Sequence, residues 1–299
     1  MKVLVTGGTN GMGKGLAKIL AGIDNQTHEI IILGRSEERG AAVVKDLKET
    51  TKNEKISFVQ CDLTKLSDVH NVIKEIHNQH TFLDAIFINA GLGYTAERVE
   101  TEDGMDPHFQ VNYLSQFMLT LNVLGLLEKS DHGGRVIFNV TPEGEIFWDD
   151  IQLKYDWGYE KGIRQAMVAK RMFYARLHNL YDKPNGAKLS FFGFSIPNTV
   201  WTNQINIIPF MMKTMARVMK FFGTFISIEE SGTIMAPLFT ETQNESLTRS
   251  GKLITWGKNE FKEFEHDAAG FDEKLLDKLW NISLDLCNDE RTAQIAERL

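Results

Sequence analysis

The sequence predicts an α/β fold, a Rossmann-type doubly wound parallel sheet in a single domain over residues 1–299. Short apolar runs alternate with amphipathic helical stretches along the chain. A glycine-rich turn joins the first run to the first helix. No linker, repeat or low-complexity segment divides the chain, so one domain is the economical reading.

The elements follow in order. Lys2 to Thr6 reads as the first strand, centred on Val3-Leu4-Val5. The helix after it carries a stripe of Leu16, Ile19, Leu20 and Ile23, spaced i, i+3, i+4, i+7. Ile30 to Leu33 is the second strand and Ile56 to Cys61 the third. Between Thr64 and Asn78 the helical stripe recurs at Val69, Val72, Ile73 and Ile76. Ala85 to Asn89, Val136 to Val140 and Leu189 to Ile196 are strands four to six. A late strand, Lys252 to Trp256, and a helix from about Asp272 to Cys287 close the chain.

Composition bounds the function. A chain of 299 residues, 42% apolar and 24% charged, buries one substantial core. A net charge of −7 argues against nonspecific nucleic-acid binding, which needs basic surface to replace counterions. Cys61 and Cys287 fit neither a disulfide framework nor a zinc site, so no metal is expected, and both read as core thiols in a reducing compartment. The chain runs straight into a strand without a signal-peptide or membrane-spanning pattern, and a cytoplasmic location is expected.

The first strand leads into Thr6-Gly7-Gly8-Thr9-Asn10-Gly11-Met12-Gly13 and then a helix. Glycine permits a tight turn and lets phosphate oxygens approach the helix N-terminus, where free N–H groups and the helix dipole favour anions. An ordinary βα turn would not need glycines at 7, 11 and 13.

This Gly-x-x-x-Gly-x-Gly spacing resembles that of the short-chain dehydrogenase/reductase family, and further matches follow. Asp62, after the third strand, stands where that family contacts adenine. Asn89-Ala90-Gly91 matches its Asn-Ala-Gly signature, and Asn112 falls at its structural and catalytic asparagine. Leu279-Trp280-Asn281-Ile282-Ser283 looks like the C-terminal helix of the retinol-dehydrogenase-like branch. The resemblance implies a nicotinamide dinucleotide held by Gly7, Thr9, Asn10, Gly11, Met12, Gly13, Arg35, Asp62, Leu63, Asn89, Ala90, Gly91, Lys170, Pro197 and Thr202. NAD-binding sites of this kind place a carboxylate at the end of the second strand. Here the strand ends Leu33-Gly34-Arg35-Ser36, and a guanidinium suits a 2′-phosphate, so NADP(H) is the expected cofactor.

The family supplies a serine, a tyrosine and a lysine, the last two as Tyr-x-x-x-Lys on one helix face. The helix here reads Gln165-Ala166-Met167-Val168-Ala169-Lys170. Lys170 fits the lysine, and Pro197-Asn198-Thr199-Val200-Trp201-Thr202 arrives where the family's Pro-Gly-x-Val-x-Thr is expected. The tyrosine position is therefore Ala166. Counting from Arg135 puts Thr141 at the serine site, and a register one residue later puts Pro142 there. The resemblance implies a catalytic set of Asn112, Thr141 and Lys170.

A substitute acid has four candidates. Tyr155 follows Thr141 by fourteen residues, close to the family's serine-to-tyrosine spacing, but Tyr159 rather than lysine stands four further on. Glu143 and Glu145 are near in sequence, and burial can raise a glutamate pKa into a useful range. The alternative for each is a surface loop residue without a chemical role.

Residues 202–226 fall where the family places its substrate cover. Ile208, Met211, Met212, Met215, Met219 and Phe222 share one helical face, and Lys213, Arg217 and Lys220 another. Such a face suits a lid over a hydrophobic substrate, with peripheral membrane contact second and packing on the body or on a partner subunit the ordinary alternative. The leading expectation is an NADP(H)-dependent oxidoreductase acting on a hydrophobic carbonyl or alcohol, assembled as a homodimer or homotetramer. The rivals are an enzyme of other chemistry on this scaffold and a catalytically silent NADP(H)-binding protein, with Ala166 either native or engineered in place of tyrosine.

Overall fold

The computed structural model describes residues 1–23, 27–181, 188–196, 199–200, 213–215, 217, 225–264 and 272–299. Strands β1 (Lys2–Thr6), β2 (Glu29–Gly34), β3 (Ile56–Gln60), β4 (Ala85–Ile88), β5 (Arg135–Asn139) and β6 (Ser190–Ser195) form a parallel array in the order β6-β5-β4-β1-β2-β3. The order reverses between β4 and β1, which places a crevice at the carboxyl ends of these two strands. A short parallel pair, β7 (Thr199–Val200) and β8 (Phe225–Ile226), stands apart from this sheet.

The central strands β1, β2, β4, β5 and β6 are buried on both faces, whereas the edge strand β3 exposes Ser57 and Gln60. Leu4, Ile31, Ile86 and Val136 belong to one apolar layer, and Val3, Val5, Ile30, Ile32, Phe87 and Ile137 to the other. Successive side chains of a strand point to opposite faces, and each fully buried Val, Leu or Ile stabilises the fold by about 1.5–3 kcal/mol.

The second layer is closed by α1 (Gly11–Gly22) and α2 (Glu37–Thr51). Helices α3 (Leu66–Gln79), α5 (Ser115–Leu127) and α6 (Tyr159–Tyr181) cover the first layer. One short turn, α4 (Pro107–Phe109), precedes α5 and is joined to it by a π-helical turn, Gln110–Leu114. π turns recur at functional sites, and this one carries Asn112.

The chain continues through α7 (Ile228–Thr240) and α8 (Gln243–Arg249) into β9 (Leu253–Gly257), parallel to β6. A two-residue turn, Lys258–Asn259, with both φ values positive (55° and 61°), reverses the chain into β10 (Glu260–Glu263). This antiparallel edge strand was not anticipated from the sequence, and it completes an eight-stranded sheet. α9 (Glu273–Cys287) and α10 (Glu290–Arg298) end the fold.

Strand boundaries agree with the sequence expectation to within about a residue. Cys61 and Cys287 are free and buried, and burial pushes the Cys61 thiol up to about 12, so both are inert core thiols. Among the described residues no helix is long and apolar enough to cross a membrane. Of the expected lid, Ile208, Met211, Met212, Met219, Lys220 and Phe222 lie outside the described residues; Met215 is 62% exposed.

Candidate active site

The turn after β1 is built without spare room. Gly7, at φ +68°, donates its N–H to the Leu33 carbonyl at 2.9 Å. A Cβ on Gly13 would come within 2.6 Å of the Gly7 carbonyl oxygen and 2.8 Å of Asn89 Nδ2. Asn10 leads into α1 with extended backbone and no side-chain cap, and the first turn of α1 holds no acid. The helix therefore stands open to an anion. By contrast, Ser36 caps α2 with its own hydroxyl.

Thr9 packs on Gly34, where a Cβ would be 2.9 Å from Thr9 Cγ2, so the turn meets the end of β2. Arg35, next along, is exposed and forms no ion pair among the described residues. Asp62 is half-buried, its carboxylate accepting from the Thr64 N–H at 3.0 Å and hydroxyl at 2.8 Å. Leu63 is buried.

A polar chain links the turn to α6. The Thr6 hydroxyl accepts from the Asn89 and Ala90 N–H groups at 2.8 and 3.0 Å and lies 2.8 Å from Gln116 Oε1. Asn89 gives its amide to the Thr6 carbonyl at 3.0 Å and takes one from Asn139 at 3.1 Å. The Asn139 carbonyl then accepts from Lys170 Nζ at 3.3 Å. Lys170 is fully buried, and desolvation holds its pKa down at about 7. Gly91 faces Asn112 Oδ1, where a Cβ would stand at 3.5 Å. Thr6, Gln116 and Asn139 were not singled out from the sequence. Their only signal was polar side chains at strand ends or in a buried helix.

The structure thus joins Gly7, Gly13, Asn89, Ala90, Gly91, Asn112 and Lys170 in one cluster, in which Gly13, Ala90, Asn112 and Lys170 are buried, Gly7 and Asn89 half-buried and Gly91 exposed, with Thr9 and Arg35 on its β2 side. Pro197 and Thr202 lie outside the described residues. Thr141 is exposed, and its carbonyl accepts from Arg171 Nη1 at 3.4 Å; the Pro142 carbonyl takes the same nitrogen. Ala166 is 0% exposed, one turn before Lys170 on the same face.

The candidate acids are placed differently from their sequence spacing. The Asp150 carboxylate collects the N–H groups of Lys154, Tyr155 and Asp156 at 2.7, 2.9 and 3.4 Å, turning the loop back on itself. That turn throws Tyr155 outward, 89% exposed, outside the buried cluster around Lys170. Glu143 and Glu145 are also exposed, Glu143 lying 3.7 Å from Arg164. Tyr159 starts α6, donates to Glu160 at 3.0 Å and meets Tyr94 edge to face with centroids 4.9 Å apart. It stands seven residues before Ala166 on the same helix face, about 10 Å along the axis.

A family model described as short chain dehydrogenase matches residues 1–147. The chain belongs to the short-chain dehydrogenase/reductase family. The match spans the glycine turn, Asp62, the Asn89–Gly91 segment and Asn112, while Ala166 and Lys170 lie beyond it. A polyprenol dehydrogenase of Danio rerio is 33% identical over 172 residues, 56% of this chain and 52% of that protein. The chain spans about half the length of the polyprenol dehydrogenases it matches. Human retinol dehydrogenase 14 is 25% identical across 94% of this chain and 84% of its own. Among solved structures, the Pseudomonas aeruginosa RhlG/NADP active-site complex superposes with a TM-score of 0.62 at 18% identity, over 85% of this chain and 93% of that one. The likeness shows the same fold over 85% of this chain.

Proposed function

We propose that this chain binds NADP(H) and moves a hydride between it and a hydrophobic carbonyl or alcohol, at a site without the usual tyrosine. The observation that carries this reading is Lys170. A fully buried ammonium with, among the described residues, one carbonyl acceptor at 3.3 Å for its three N–H donors is a costly arrangement, and such groups concentrate at functional sites.

The residues fit the dinucleotide. The open start of α1, with Gly7 and Thr9 to Gly13, would hold the pyrophosphate, and Asp62 with Leu63 the adenine. Arg35 would be the cation for a 2′-phosphate, and Asn89, Ala90, Gly91 and Lys170 would flank the nicotinamide end; Pro197 and Thr202, expected from the sequence to join them, lie outside the described residues. Bound NADPH supplies the hydride. Lys170 would donate to the ribose, burial holding its pKa down at about 7, and the proton for the substrate oxygen would come from water or a substitute residue. Thr141 would offer a hydroxyl to the substrate oxygen, and Asn112 fixes the Leu92 backbone just after the Asn89–Gly91 run.

The names of the relatives, polyprenol dehydrogenase and retinol dehydrogenase 14, support an apolar alcohol or its carbonyl as substrate. Loss of a positioned general acid costs about a hundredfold to ten-thousandfold in rate, so slow turnover is the expectation. A second reading, a catalytically silent NADP(H)-binding protein, is favoured by the full burial of Ala166 where a phenol would stand. A cytoplasmic homodimer or homotetramer is part of the leading reading and is tested by light scattering.

The test is a fluorescence titration with NADPH and NADH, for the parent and Arg35→Ser. The expected result is NADPH preferred by about tenfold to a hundredfold, as for charge-assisted bonds to one phosphate, with the preference lost in Arg35→Ser. Equal affinities in the parent would reject the cofactor assignment, and no binding of either would reject the reading.

A further inference from the structure

The segment after β4 is gripped by two side chains one helical turn apart. Asn112 takes the Leu92 N–H on Oδ1 at 2.5 Å and donates Nδ2–H to the Leu92 carbonyl at 3.1 Å. Four residues earlier, His108 Nε2 lies 2.8 Å from the Gly93 carbonyl oxygen. A carbonyl can only accept, so that nitrogen carries the proton. Three consecutive peptide units of the loop are thus fixed by side chains.

His108 is itself held in place. Asp106 caps its turn by accepting from the Phe109 N–H at 2.9 Å, and Pro107 opens the turn. The imidazole is fully buried against Gly162 of α6, where a Cβ would come within 3.0 Å of His108 Cβ and 3.1 Å of Nδ1. Gly162, Ala166 and Lys170 follow one another at four-residue intervals, so His108 is wedged between the loop and the α6 stripe that carries the candidate site. Among the described residues its Nδ1 has no hydrogen-bond partner, and Asp106 Oδ1 lies 3.8 Å away. An apolar side chain would fill this space without leaving a ring nitrogen unpaired. What the imidazole adds is the bond to Gly93.

We propose that His108 is a positioning residue of the dinucleotide site, fixing the Gly93 carbonyl so that Asn89 to Gly91, just upstream, hold their shape before the cofactor arrives. Tyr94, immediately downstream, is thereby set against Tyr159. The inference rests on the reading that this site takes NADP(H), and it concerns the chain in its empty state as well.

The test compares His108→Leu, His108→Gln and His108→Asn by amide hydrogen exchange of the cofactor-free protein and by NADPH titration. A glutamine amide reaches the Gly93 carbonyl; an asparagine is one methylene short. In the leucine and asparagine variants, exchange at Leu92, whose N–H is held by Asn112 Oδ1 next to the anchored Gly93, should speed by about tenfold or more, as expected when a local anchor is lost. Their NADPH dissociation constants should rise about fivefold, the weight of one neutral hydrogen bond. His108→Gln should stay within about twofold of the parent on both readouts. If His108→Leu fails to fold, the contrast between glutamine and asparagine carries the test. Parent-like exchange in the asparagine variant, or a glutamine variant as perturbed as asparagine, would overturn the proposal. If the parent binds no NADPH, the function reading fails alone, and the exchange data still decide the role of His108.

Discussion

Lys170 Nζ points at the Asn139 carbonyl oxygen, 3.3 Å away, so the middle of α6 is tied to the end of β5 by a charge sealed from solvent. Burial depresses this lysine from 10.5 to about 7. The unfolded chain therefore binds the extra proton between about pH 7 and 10.5, and stability rises with pH across that window. Below pH 7 the cost of charging Lys170 is fully present. Lys170→Met should raise stability at pH 6 by about 2–4 kcal/mol, with the gain shrinking toward pH 10. Thermal melts of the cofactor-free proteins at the two pH values check it; identical melts at pH 6 would contradict it.

Gly13 and Gly125 should respond in opposite directions to alanine. At Gly13 the new Cβ meets the Gly7 carbonyl oxygen at 2.6 Å, a backbone atom that cannot swing aside. Gly13→Ala should cost about 1–3 kcal/mol of stability and abolish NADPH binding. Gly125, exposed on α5, has nothing within 4 Å of a new Cβ, and alanine there should stabilise by about 0.5–1 kcal/mol. Urea unfolding of both variants decides this.

Tyr155 should be replaceable. With its ring 89% exposed, Tyr155→Phe should leave melting within about 0.5 kcal/mol of the parent and NADPH oxidation unchanged. A tenfold fall in oxidation rate would place Tyr155 in the chemistry. Tyr159→Ala, which removes the ring that meets Tyr94, should instead raise KM for large apolar substrates more than it lowers kcat.

Much of this arrangement is legible in the chain because it is local. The glycine turn, the Asn89–Gly91 run and the two-residue alternation of β1 are written in neighbouring positions, and they arrive where expected. The π turn that carries Asn112 and the β9–β10 hairpin were not legible. Nothing in the spacing of Gln110 to Leu114 separates a π from an α turn, and Lys258 is an unusual residue for a positive φ. The His108–Gly93 bond joins residues fifteen apart through a loop without periodicity. Tyr155 had the right count from Thr141, but a count cannot foresee that Asp150 gathers three N–H groups and turns the loop outward. Long-range polar contacts are settled by packing, which pattern reading does not see.

On the proposed reading, this is a competent dinucleotide site from which one proton donor is missing. It is tested most directly by NADPH oxidation with a panel of hydrophobic aldehydes and ketones, run side by side on the parent and Ala166→Tyr. The expected result is measurable but slow turnover by the parent and a gain of about a hundredfold or more in the tyrosine variant. A folded, NADPH-binding tyrosine variant that is no faster than the parent would contradict it.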